Sequence, residues 1–198
     1  IHGSGNVDRN GNQAGYNVKA NYIKQFRDSI NTRGISFFSY DKRTANSENK
    51  DYLRNIVFDD FVDDAKKVIN YFKDDKRFTS IILIGHSQGS LVAMLASKDI
   101  NKYISLSGPS RAIDEIMVQQ ITKQNPIAGD SLKAHFKELK TTGTIHYVNP
   151  YLRTLLPKQN FPFLISWMKY NPTIELRKLN IPIMIINGTK DLQISVEE

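Results

Sequence analysis

The sequence predicts an α/β domain of three layers, with a mostly parallel sheet between helices and a helical insertion late in the chain. Three observations carry this. Short apolar runs rich in β-branched and aromatic residues recur along the chain, which suits strands buried on both faces of a parallel sheet. Apolar residues at helical spacing lie between those runs. The alternation then stops for about 70 residues, too long for a bare loop.

Taken in order, Ile23, Phe26 and Ile30 are spaced for one helix face, and Ile35–Tyr40 reads as the first strand. Phe58, Phe61, Val62, Ala65, Val68, Ile69 and Phe72 form the stripe of a long helix. Asp59, Asp60, Asp63 and Asp64 stand early in it and Lys66, Lys67 and Lys73 late, an order that complements the helix dipole. Ser80–Ile84 is the clearest strand, and Leu91, Val92 and Leu95 start a helix near Ser90. Tyr103–Leu106 is the next strand, so the alternation runs from about Asn17 to Leu106. Residues 110–178 are expected to form a helical cap insertion, with Ile113, Ile116, Met117, Gln120 and Ile121 on one helix face. Ile183–Ile186 resumes the sheet. Residues 1–109 and 179–198 together are expected to form the core.

Composition narrows the function classes. The 198 residues carry 27 Lys+Arg against 20 Asp+Glu, a net charge of +7. The excess is spread out and densest in residues 111–178, with no run of five like charges, so it reads as solvated surface and not as a nucleic-acid site. The absence of Cys excludes a disulfide scaffold, a Cys-ligated metal and a Cys nucleophile. No apolar run approaches the roughly 20 residues of a membrane helix, so no membrane span is expected. Asp8, Asn10 and Asn12 begin like a calcium loop, but Gln13 and Lys19 occupy its sixth and twelfth positions. No metal and no organic cofactor are expected.

The motif with chemical content is Gly85-His86-Ser87-Gln88-Gly89, a G-x-S-x-G sequence between an apolar strand and a helical stretch. In that setting the chain turns sharply and holds a serine in a strained conformation with its hydroxyl exposed. His2-Gly3-Ser4-Gly5 is a second feature: the backbone N–H groups of Ser4 and Gln88 are candidates for an oxyanion hole. Asp191, in a turn after the last strand, is the candidate acid that orients a histidine.

These residues give the sequence a resemblance to the α/β-hydrolase superfamily, to its serine esterases and lipases with a helical cap. The segment Gly3–Gly11 is similar to the GSG-x-x-DR-x-G loop of a bacterial esterase subgroup, and Tyr40-Asp-Lys-Arg43 to the loop after that subgroup's next strand. The resemblance implies an α/β-hydrolase fold and ester cleavage through an acyl-enzyme on Ser87, with a small-molecule acyl ester as substrate. It also implies the chain order Ser…Asp…His. Ser87 and Asp191 match, but the seven residues after Asp191 include no histidine. The base is therefore expected beyond Glu198, in a longer hydrolase of which these residues are an internal piece. Asp8 and Arg9, joined by Arg43, are expected to shape the oxyanion loop. Thioester or amide hydrolysis uses the same machinery, and a non-catalytic binding protein on this fold is the other alternative. Phe161–Met168 suits either a core-packing helix or the lining of an acyl pocket.

Overall fold

The computed structural model describes residues 1–13, 15 and 19–196. Asn17, where the alternation was expected to start, and Glu198 lie outside the described residues. Helix α1 (Tyr22–Asn31) comes first. The stripe-bearing helix α2 (Asp59–Lys73) follows and buries Phe61, Val62, Ala65 and Ile69. Strand β1 (Ile82–His86) leads directly into α3 (Gln88–Ala96), and β2 (Lys102–Leu106) follows. Four helices then intervene: α4 (Ile113–Gln124), α5 (Pro126–Thr142), α6 (Phe161–Met168) and α7 (Pro172–Leu176). Strand β3 (Ile183–Ile186) closes the series.

The sheet runs β1-β2-β3, all parallel, with His86 level with Leu106 and Leu106 level with Ile186. The three strands therefore end at one height, and the loops after them share one edge of the molecule. In parallel α/β sheets this carboxyl edge is where ligands bind. Helix α3 packs on β1 and β2, with α2 and α7 against it. Every residue of α3 but Leu95 is buried, as expected for a helix apolar on all sides.

The α/β class and the parallel sheet are as the sequence predicts. Two local expectations differ. Ile35–Tyr40 forms no strand. Its aromatic residues pack as ring pairs instead, Phe37 on Phe26 and Phe38 on Phe72, and no neighbouring strand offers it a ladder among the described residues. Strand β3 is not buried on both faces: its four residues are 39–62% exposed. It is an edge strand, with β2 as its partner on one side among the described residues.

Helix α5 has no stripe that stands out in the sequence, yet its ends are marked. Asn125 caps it by accepting from the Ala128 N–H at 3.1 Å, Pro126 fills its first position, and Gly143 ends it at φ 76°. Residues of α5 and α6 form a second apolar cluster around Leu132, Phe136, Leu139 and Leu164. Trp167, also on α6, belongs instead to the cluster around α2 and α3, where it stacks on Phe58 at 5.2 Å. Phe161–Met168 thus packs between the two clusters.

Candidate active site

Ser87 sits between β1 and α3 with φ 51° and ψ −120°. A non-glycine residue at positive φ costs on the order of 1–3 kcal/mol and persists only when its surroundings enforce it. The surroundings here do so. The Ser87 N–H donates to the Leu106 carbonyl at 2.9 Å, and the Ser87 carbonyl accepts from the Ser90 N–H at 2.9 Å. The same pattern repeats one strand over: Ser107, φ 46°, donates its N–H to the Ile186 carbonyl at 2.8 Å.

The two glycines of the motif are required by close approach. A Cβ on Gly85 would lie 2.3 Å from the Gly89 carbonyl oxygen, because the helix folds back onto the strand there. A Cβ on Gly89 would lie 2.4 Å from the His2 carbonyl oxygen and 2.5 Å from that of Ile1. Residues 1–3 therefore lie directly against the start of α3. They also align with β1: the Ile1 nitrogen donates to the Ile84 carbonyl at 2.6 Å, and the His86 N–H donates to the Ile1 carbonyl at 3.0 Å. A Cβ on Gly3 would lie 3.4 Å from the Ser87 Cβ, so the Gly3-Ser4 peptide borders the serine. Gln88 is the first residue of α3, where N–H groups have no carbonyl of their own helix to bond.

Asp191 follows β3. Its Oδ1 accepts from the N–H groups of Gln193 (2.9 Å) and Ile194 (3.0 Å), and its N–H donates to the Gly188 carbonyl. The Ile194 N–H, then that of Gln193 and the Ser107 hydroxyl, hold its carboxyl below the usual carboxylate range. Ser107 was not singled out from the sequence. Its signal is conformational, a non-glycine residue at positive φ just past β2, between the strands that lead to Ser87 and Asp191.

The four histidines are accounted for. His2 is buried, and burial pushes its pKa down to about 3, so it is neutral. Its ring meets Tyr40 edge-on at 5.6 Å. His86 is also lowered by burial; it packs against Tyr22 and under Gly3, within electrostatic reach of Asp191. His135 accepts from the Asn149 N–H, and His146 pairs with Glu138 at 2.6 Å, both near α5. Among the described residues, no histidine hydrogen-bonds Ser87 or Asp191.

The supports expected around the oxyanion loop are partly rearranged. Asp8 accepts from the N–H groups of Asn10 and Asn12 and shapes its own turn. Arg9 grips Asp41 through two nitrogens at 2.6 and 3.0 Å. Arg43 turns away to α2, where Asp60 and Asp64 hold it, because two carboxylates one helical turn apart suit its fork. Lys42, which the sequence shows within Tyr40-Asp-Lys-Arg43 but with no role of its own, reaches the loop at the Gly3 carbonyl.

A family model described as serine aminopeptidase, S33, matches residues 14–154. Esterase EstD of Thermotoga maritima is 21% identical over 207 aligned residues, which cover 100% of this chain and 47% of that protein. The chain thus spans about half the length of that curated relative. No helix among the described residues is long and apolar enough to cross a membrane.

Proposed function

The chain belongs to the serine aminopeptidase S33 family of α/β-hydrolases, and we propose that it is a serine hydrolase acting on small carboxylic esters through an acyl-enzyme on Ser87. The observation that carries this is the strained Ser87 at the carboxyl edge of the sheet, with Asp191 two strands away on the same edge. The Ser87 hydroxyl attacks the ester carbonyl, and its proton passes to a histidine that Asp191 orients. That histidine is expected beyond Glu198, in keeping with the order Ser, Asp, His. The backbone N–H groups of Ser4 and Gln88 take the oxyanion. The histidine returns the proton to the leaving alcohol, and water then releases the acid by the reverse sequence. Residues 110–178 serve as the cap over this edge, on a core of 1–109 and 179–198.

The family description also favours a second reading, release of an N-terminal amino acid. That reaction needs an anionic group to hold the substrate ammonium. Asp41 and Asp64 are instead held by Arg9 and Arg43, and Asp8 by its own turn, which supports the ester. The test uses the protein from its complete reading frame. Alkyl fluorophosphonate should add to Ser87, read as mass on its peptide. p-Nitrophenyl ester turnover should fall roughly 10⁴-fold or more in Ser87→Ala. Faster turnover of aminoacyl p-nitroanilides selects the peptidase reading. Absence of both label and turnover rejects the hydrolase.

A further inference from the structure

Lys42 is a charged side chain at 7% exposure. Its Nζ donates to the Gly3 carbonyl at 2.9 Å and to Oε1 of Gln88 at 2.6 Å. It also lies 4.3 Å above the centre of the Phe61 ring. Both hydrogen-bond partners are neutral oxygens. A buried lysine is costly unless its surroundings use the charge, and neither partner is a random loop atom. The Gly3 carbonyl belongs to the same peptide unit as the Ser4 N–H, and Gln88 directly follows Ser87.

We propose that Lys42 is a positioning residue for the oxyanion hole, its ammonium fixing and polarising the Gly3-Ser4 peptide while clamping Gln88 on the other side of Ser87. This rests on the assignment of Ser4 and Gln88 as oxyanion donors. The peptide is planar and trans, so its N–H points opposite to its C=O. Holding the oxygen at Lys42 therefore aims the N–H away from Lys42. A cation on the oxygen draws electron density from the nitrogen and makes that N–H a stronger donor. The charge itself stands one peptide away from the developing oxyanion, in a poorly solvated setting where such charges count most.

Burial pushes the Lys42 ammonium down to about 7. The titratable groups around it are the Ile1 amine, pushed down to about 5 by burial, His2, neutral through burial, Tyr40, whose phenol burial pushes up, Asp41, paired with Arg9, and Asp64, paired with Arg43. The sign follows: Lys42 is charged below about pH 7 and loses its charge as pH rises through it. The wild-type kcat/KM should then fall on its alkaline side with an apparent pKa near 7.

The experiment measures p-nitrophenyl acetate hydrolysis and fluorophosphonate addition from pH 5.5 to 9.5, on the protein from its complete reading frame. Lys42→Met should lower kcat/KM roughly tenfold at pH 6.5, less than the 10²–10³ lost with a whole donor. The loss should fall on kcat more than on KM, and the alkaline limb should vanish, so that the two enzymes converge near pH 9. Lys42→Arg, charged throughout, should lose the limb and stay fast at high pH. A folded Lys42→Met with the wild-type pH profile overturns the proposal. Where neither variant folds, a wild type without the alkaline limb overturns it. Absence of label at Ser87 in the wild type instead removes the hydrolase assignment on which the proposal rests.

Discussion

The loop after β1 is packed from both sides, whereas the loop after β3 is held mainly by its own turn. Around Ser87, a glycine Cβ would strike backbone at 2.3–2.5 Å on either flank, and Lys42 is buried against the peptide alongside. Around Asp191, a Cβ on Gly188 would meet nothing nearer than 4.0 Å, β3 is exposed along its length, and Leu192 is almost fully exposed. The lesson is chemical as well as mechanical. A strained serine needs a rigid frame to stay strained. A carboxylate that only orients a partner can be fixed by a few N–H donors.

The comparison can be broken most sharply at the β1 end. Gly85→Ala should destabilise the fold by about 3 kcal/mol or more, because the atoms it meets are backbone and cannot rotate away. Urea unfolding followed by circular dichroism measures this, and a cost below about 1 kcal/mol would mean that the β1 frame yields. A middle-sized effect is expected at the bridge between the two ends. Ser107→Ala removes the one side-chain hydroxyl that supports the Asp191 carboxylate. It should cost about 1 kcal/mol of stability and lower kcat several-fold. An unchanged kcat would show that the Gln193 and Ile194 N–H groups hold the acid unaided. The smallest effect is expected at Gly188→Ala, with its open surroundings: within about 0.5 kcal/mol of the parent. A larger loss would mean that the β3 loop is as tightly packed as its counterpart.

The parts of this molecule legible in sequence are those governed by local rules. Strand β1, the serine turn and the start of α3 follow one another within fifteen residues, and apolar runs with flanking glycines announce them. Helix α6 coincides with the uncharged run Phe161–Met168. Helix α5 does not stand out because its apolar residues are diluted by lysines, although Asn125-Pro126 and Gly143 mark both its ends. The Ile35–Tyr40 segment has strand composition, but composition cannot supply a hydrogen-bonded neighbour. Of the candidate site residues, Ser87, Asp191, Ser4 and Gln88 are visible through motifs. Lys42 lies in Tyr40-Asp-Lys-Arg43, but its burial depends on a contact 39 residues away, and Ser107 lies in no motif, its backbone angle imposed only by the sheet.

The alignment of residues 1–3 beside β1 has a kinetic side. The bond from the Ile1 nitrogen to the Ile84 carbonyl spans 83 residues. Closing a loop of that length costs roughly 4 kcal/mol of chain entropy before any contact repays it. Short-range elements such as α3 and its strand form from neighbouring residues, whereas the peptide that flanks Ser87 must arrive from far along the chain. During refolding the turn that holds Ser87 can therefore form before the Gly3-Ser4 peptide docks beside it. Until that segment docks, the serine turn lacks the wall that residues 1–3 build against the start of α3.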